Sequence, residues 1–261
     1  MLRRALFASK FLALVWLLGS SATVHAGLIT NGDFSQYTAG APVPNNHYLA
    51  HIGNVNPPNG SLEGKGTLTG WTVYQGTSSA NSVGVYAYLY NTANQTGLVS
   101  PAATPPNGSN FLGILGDNSG GHYSVNSVQQ TINGLTAGQF YSVSFDWAAS
   151  APSGYTPNNI GWDVSLGGGT AQEVTVTNNS SGHTTPWMHT TFLFQAHTTS
   201  EVLEFLAVNK AHSGPPMALL TNIDMELHPV PEPSTLVSLE LGVIGFVTVG
   251  LRRRACALKT A

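Results

Sequence analysis

The chain has 261 residues, only 8% of them charged, and a formal net charge of −3 at pH 7. That figure hides a lopsided middle: between Gly27 and Thr235 two basic residues, Lys65 and Lys210, stand against eleven acidic ones with no arginine, a net of −9. Nucleic-acid binding needs a basic surface to neutralise phosphate and is excluded, while the single cysteine, Cys256, rules out an intrachain disulfide.

The chain opens with Arg3, Arg4 and Lys10 ahead of an apolar run from Phe11 to Leu18, followed by Val24-His25-Ala26 before Gly27. A basic flank, a short apolar core and small residues at a cleavage position mark a secretory signal peptide. Residues 1–26 are therefore expected to form a signal-peptide helix that signal peptidase removes. Residues 27–228 are expected to hold the folded domain. Without cross-links they depend on one sizeable core, which about 200 residues can supply.

Within that domain the apolar pattern has period two. Tyr141, Val143, Phe145 and Trp147 alternate with Ser142, Ser144 and Asp146, as in a half-buried antiparallel strand. The same alternation runs through Trp162, Val164 and Leu166, through Met188 to Ala196, and through Leu203, Phe205 and Ala207. Further strands are expected at Trp71–Tyr74, Val83–Tyr90, Phe111–Leu115, Ser127–Ile132, Gln172–Val176 and Asn222–Leu227. Turn formers separate them: Asn133-Gly134, Ala137-Gly138, Gly167-Gly168-Gly169, Asn178-Asn179-Ser180 and Gly214-Pro215-Pro216. Tyr37–Gly70 and Asn91–Asn107 read as loop-like insertions. No window longer than ten residues between Gly27 and His228 carries a helical period. Many short strands with frequent turns give an all-β, antiparallel, jelly-roll-like β-sandwich with Phe145, Trp147, Trp162, Phe192 and Phe205 in one core.

Beyond the domain, residues 229–235 contain Pro231-Glu232-Pro233, which cannot comfortably join a helix or a sheet ladder. Leu236 to Leu251 is an apolar stretch of 16 residues interrupted only by Glu240. At ~1.5 Å per residue it reaches ~24 Å, a little short of a ~30 Å hydrocarbon layer. It is expected to be a C-terminal transmembrane helix, with Glu240 near the outer interface. Residues 252–261 form a basic tail in which Arg252, Arg253 and Arg254 act as a stop that holds the C-terminus in the cytoplasm. A permanent tail anchor is the other reading of this segment.

The order of these three features resembles the PEP-CTERM sorting signal of exported bacterial proteins. The resemblance covers about a tenth of the chain and implies that Pro231, Glu232 and Pro233 are the recognition element for a membrane-embedded exosortase. It further implies residence in the inner membrane before processing, then release to the cell surface or outside the cell.

A second series lies in the domain: Asn31-Gly32-Asp33-Phe34-Ser35, Gly70-Trp71-Thr72-Val73, Asn107-Gly108-Ser109-Asn110-Phe111-Leu112 and Val128-Gln129-Gln130-Thr131-Ile132. It continues with Ala137 to Asp146 and Ala218-Leu219-Leu220-Thr221-Asn222-Ile223. In this order the motifs resemble the choice-of-anchor type C family and its galactose-binding-like relatives over about Leu28 to Leu227. The resemblance implies a jelly roll whose first and last strands pair side by side. Many relatives with this fold bind carbohydrate, and some hold a structural calcium ion between those strands. In those relatives acids stand where this chain has Ser35 and Thr221, so the expectation here is no cofactor and no metal, with Asp33 a turn residue; a structural calcium ion held by Asp33, Asp224 and backbone carbonyls is the less favoured alternative.

Catalytic patterns are poor: there is no nucleophile elbow, zinc-protease helix motif or phosphate loop. Asp146 and Asp163 are the one pair to weigh as glycosidase carboxylates, against a plain role as solvent-side residues. His183, His189 and His197 lie near one another in sequence, but a metal site needs converging ligands. Aromatics remain. Tyr74, Tyr86, Tyr88, Tyr90, Tyr123 and Tyr155 lie on polar or loop-rich segments, and a tyrosine face can stack on the C–H face of a sugar. Tyr86, Tyr88 and Tyr90 share one face of a strand and form the candidate platform, with a core role as the alternative. Trp71, Trp147 and Trp162 belong in the core. The expectation is a non-enzymatic, exported carbohydrate-binding or matrix protein with extracellular polysaccharide as partner. A glycan-active hydrolase and a ligand-free structural protein are the competing readings.

Overall fold

The computed structural model describes residues 27–40, 48–52, 65–75, 87–108, 110–116, 126–210 and 216–228. The expected signal peptide, Tyr86, Tyr123, the Pro231-Glu232-Pro233 motif, the apolar stretch and the arginine triplet all lie outside these residues. None of the described residues is helical, and among them no helix is long and apolar enough to cross a membrane.

Thirteen strands are present among the described residues. They are β1 (Tyr37–Thr38), β2 (Ala50–Ile52), β3 (Lys65–Leu68), β4 (Thr72–Gln75), β5 (Ala87–Tyr90), β6 (Phe111–Leu115) and β7 (Asn126–Asn133). Then follow β8 (Phe140–Ser150), β9 (Ile160–Leu166), β10 (Gln172–Val176), β11 (Met188–Gln195), β12 (Ser200–Asn209) and β13 (Met217–Leu227). They form two sheets. One has eight strands in the order β1-β3-β2-β5-β6-β13-β8-β11, the other five in the order β10-β9-β12-β7-β4. All pairings are antiparallel except β2 with β3.

The alternation read from sequence is what fills the space between the sheets. Tyr141, Val143, Phe145 and Trp147 of the eight-stranded sheet meet Trp162, Val164, Leu203 and Phe205 of the five-stranded sheet in one core. Phe205 is its hub: its ring lies 5.1 Å from Phe145, 6.2 Å from Trp162 and 6.3 Å from Trp71, all edge to face. Buried indole N–H groups need acceptors, and Trp162 reaches across the core to donate to the Leu219 carbonyl at 3.1 Å. This hydrogen bond ties the sheets together in addition to apolar burial.

The structure departs from the sequence reading in three places. Tyr37–Gly70, expected as loop, holds β1, β2 and β3; each has two to four residues, too few to show an alternation. The last strand starts at Met217, five residues before the expected Asn222. Met217 and Leu219 face one cluster while Ala218 and Leu220 face another, so burial on both sides erases the period. The first and last strands do not pair: β1 pairs with β3, and β13 lies between β6 and β8. The segment before β1 does run beside β13, but a single bond, Ile223 N–H to the Gly32 carbonyl at 3.0 Å, joins them. Asn31 and Phe34 have φ of 56° and 53°, left-handed values that interrupt a regular ladder.

Candidate functional site

Because side chains alternate along a strand, the residues that leave the core must face outward, and on the eight-stranded sheet many of them are apolar. Tyr90, Phe111, Leu115, Ala148, Met217 and Leu219 form a second buried cluster on this outer side. It is covered by the segment from Asn91 to Asn107. Leu98 and Ala102 pack down into the cluster, and Gln95 braces the segment by donating to the Thr92 and Ala102 carbonyls. Val99 N–H then bonds the Ala151 carbonyl at the end of β8.

Tyr90 is the centre of this cluster and only 2% exposed. Its ring stacks on Phe111 at 5.4 Å, and it lies close over the sheet because Gly113 has no side chain; a Cβ there would sit 2.8 Å from the Tyr90 ring. Burial pushes its hydroxyl pKa well above the usual tyrosine value, and the neighbouring Tyr88 and Tyr48 push it the same way. Tyr90 thus supports the candidate platform from beneath and offers no ring face to a ligand. Tyr88, on the same side of β5, is half-buried at the rim. Tyr48 joins it at 4.6 Å, and Trp187 closes the other end, 5.4 Å from Phe111, with its indole N–H on the Ala103 carbonyl. The rim of the second cluster is therefore Tyr48, Tyr88 and Trp187.

Two rim members escape a sequence reading. Tyr48 lies in the stretch read as loop. Trp187 precedes β11 directly, and its odd position, in step with His189 and Thr191 rather than Met188 and Phe192, is the signal that places it outside. Tyr74 and Tyr155 are exposed elsewhere, at 51% and 49%. Trp71, Trp147 and Trp162 are buried.

Polar groups share this face. Asp146 is buried at the outer surface of β8, and His189 Nδ1 bonds its Oδ1 at 2.8 Å from the neighbouring strand. Asn222 donates to the other carboxylate oxygen at 2.7 Å from the irregularity in β13, where its φ is 51°. The carboxylate is held on both oxygens, and the imidazole, mostly exposed, presents Nε2 to an incoming group. Asp163 faces outward on the five-stranded sheet, so the sandwich separates it from Asp146 and the two do not form a hydrolytic pair. Likewise His189 pairs with Asp146, His197 lies 3.9 Å from Glu201 in the turn before β12, and His183 is on an exposed loop; the three do not converge.

The calcium position implied by the resemblance can be tested on its donors. Ser35 Oγ donates to Asp33 Oδ1 at 2.9 Å, and Thr221 Oγ1 donates to the Asn110 carbonyl at 2.7 Å. Asn110 Nδ2 donates to the Phe34 carbonyl at 3.0 Å. Hydrogens are directed at carbonyls that a hard cation needs bare, and among the described residues no three His, Cys, Asp or Glu side chains gather. The hydroxyls that stand in place of the relatives' acids are thus used in hydrogen bonds within the chain.

No family model matches the chain, and no curated protein matches it. Among solved structures it is similar to the Bacteriophage CBA120 tailspike protein 4 enzymatically active domain, with TM-score 0.38 and 11% identity over 61% of this chain. It spans only 20% of that tailspike chain. It is also similar to TmCBM61 in complex with β-1,4-galactotriose, with TM-score 0.37 and 14% identity over 61% of this chain and 92% of the other. A family 35 carbohydrate binding module from Clostridium thermocellum gives TM-score 0.31 and 16% identity over 60% of this chain and 98% of its own. Superpositions this loose leave the functional reading to the molecule's own surfaces.

Proposed function

We propose that this chain is an exported, jelly-roll-like carbohydrate-binding protein that adheres to extracellular polysaccharide through the outer face of its eight-stranded sheet. The observation that carries the reading is the aromatic rim of Tyr48, Tyr88 and Trp187, half-buried on the second cluster and on the same sheet face as the Asp146–His189–Asn222 group. Sugars combine apolar C–H faces with hydroxyls, and a site for them combines fixed aromatic faces with a few oriented polar groups. The sequence supports export: a basic-apolar-small leader at one end, and at the other Pro231-Glu232-Pro233 ahead of an apolar stretch and three arginines. In this reading signal peptidase removes residues 1–26, and an exosortase recognises the tail at the inner membrane.

A glycan array probed with the parent chain and with Trp187→Ala and Tyr88→Ala variants tests the binding half. Retention of a polysaccharide by the parent, and its loss in both variants at unchanged melting temperature, is the expected result. An array with no retained glycan favours a structural surface protein without ligand. Release of reducing ends from a bound glycan identifies a hydrolase instead.

A further inference from the structure

Docking of the N-terminal segment begins at the second residue past the expected Ala26–Gly27 cut. Leu28 and Ile29 pack half-buried against the core. At Thr30 the buried Gln130 side chain holds the backbone twice. Its Oε1 accepts the Thr30 N–H at 2.8 Å, and its Nε2 donates to the Thr30 carbonyl at 2.8 Å. Gly32 then lies against β13, its carbonyl accepting the Ile223 N–H at 3.0 Å. A Cβ on Gly32 would fall 1.9 Å from the Ile223 carbonyl oxygen and 3.1 Å from the Ile29 Cγ2, so only glycine lets the segment lie this close.

This has a consequence for processing. A peptidase cuts backbone that lies extended and free in its cleft, so a packed, hydrogen-bonded segment is cut only in its open form. Hydrolysis of the bond consumes one water, leaving a carboxylate on Ala26 and, at neutral pH, an ammonium on Gly27. That ammonium arises beside an acid: a Cβ built on Gly27 would lie 3.8 Å from Asp224 Oδ1. The same oxygen accepts the Met225 N–H at 2.8 Å, which fixes the carboxylate where the new end emerges.

We propose that the domain shields its own leader junction: residues 1–26 are removed while residues 27–32 are undocked, and the Gly27 ammonium released by the cut then pairs with Asp224 and closes the segment onto β13. The inference rests on the reading of residues 1–26 as a leader. It sets an order of events, cleavage first and completion of the fold second. It also makes the stitch between the two sheets a product of export.

The test is digestion of the purified full-length precursor, folded in detergent, with signal peptidase, the product being read by mass spectrometry. A synthetic peptide of residues 1–32, free of the domain, should be cut after Ala26; an uncut peptide, or a cut elsewhere, overturns the leader reading and the proposal with it. The parent precursor is expected to be cut at least about tenfold more slowly than Gly32→Ala, since a factor of ten needs only about 1.4 kcal/mol between the docked and open forms. Leu98→Ala weakens the second cluster without touching the segment and should be cut at the parent's rate, which separates local opening from global unfolding. In the cut chain Asp224→Asn should speed hydrogen exchange at the Thr30 amide about two- to fivefold, as an exposed ion pair allows, and leave it unchanged in the uncut precursor. Equal cleavage of the parent and Gly32→Ala, or equal acceleration by Leu98→Ala, would overturn the shielding. Equal exchange in the cut parent and cut Asp224→Asn, or the same change in the uncut precursor, would overturn the pairing.

Discussion

At the scale of single residues, burial and pairing set what each group is worth. Phe145 is fully buried, meeting Phe205 edge-on and Phe192 at a tilt. Phe145→Ala should cost ~3–5 kcal/mol in urea denaturation; a loss under ~1 kcal/mol would show that the ring is not in the core. Charges behave differently on the five-stranded sheet. The Lys210 ammonium hydrogen-bonds Glu173 and, with Thr175, holds that carboxyl below its ordinary pKa. Burial, then repulsion from Glu173, raises Asp163. The signs oppose each other. Glu173 stabilises the fold above the ordinary carboxylate range and loses this as pH falls through its depressed value, whereas Asp163 destabilises it above its raised value and is relieved as pH falls. Lys210→Met should move both carboxyl titrations upward in a carbon NMR pH series, because the lysine lowers each. A fixed Glu173 midpoint would contradict the pairing. The hydroxyl and amide donors of Thr221 and Asn110 make a further expectation: calcium or a chelator should leave the melting temperature unchanged, and a calcium-dependent rise would reveal a metal held by other groups.

At the scale of elements, the motifs that looked like weak turn chemistry turn out to meet. Gln130 of β7 bonds both the N–H and the carbonyl of Thr30 and also the Gly70 carbonyl. Asn31 bonds Gln36 and Thr69, and Trp71 donates to the Asn31 carbonyl. Asn110 holds Phe34, and Thr221 holds Asn110. One junction between the N-terminal segment and both sheets uses residues scattered over nearly 200 positions. Gly32 is its tightest point, since a Cβ would fall 1.9 Å from the Ile223 carbonyl oxygen. Gly32→Ala should therefore destabilise the domain by ~1–3 kcal/mol through overpacking and speed hydrogen exchange at the Ile223 amide. Unchanged exchange there would mean that the segment is not docked on β13.

At the scale of the whole molecule, the proposed sorting role of the tail carries its own expectation. The proposal is that a processing enzyme grips this stretch as extended backbone, since proline disfavours helix and Glu232 is the one charged side chain between the two prolines. In a host that carries an exosortase, Glu232→Ala should leave the domain folded but retain full-length protein in the inner membrane through residues 236–251. Deleting Arg252 to Arg254 should instead weaken orientation before processing. Cell fractionation with immunoblotting reads both, and surface delivery of trimmed Glu232→Ala protein would reduce the tail to a plain anchor.

What the sequence determined by itself was everything local. Period-two alternation located β8, β9, β11 and β12, because a half-buried strand must write its two environments into alternate residues, and apolar runs bounded by turn formers marked six more of the strands among the described residues. Alternation also placed Phe145, Trp147, Trp162 and Phe205 in the core for the same reason. Tertiary structure decided what no local pattern encodes. Whether Tyr90 lines a surface or a second core depends on a segment eight to twelve residues later folding over it. The side-by-side placement of Tyr48 and Tyr88, and of Asp146, His189 and Asn222, depends on strand order, as does the separation of Asp146 from Asp163. The docking of Thr30 is visible only once Gln130, 100 positions later, stands beside it. Alternation fixes which side of a strand a residue takes; only the assembled sheets fix what waits on that side.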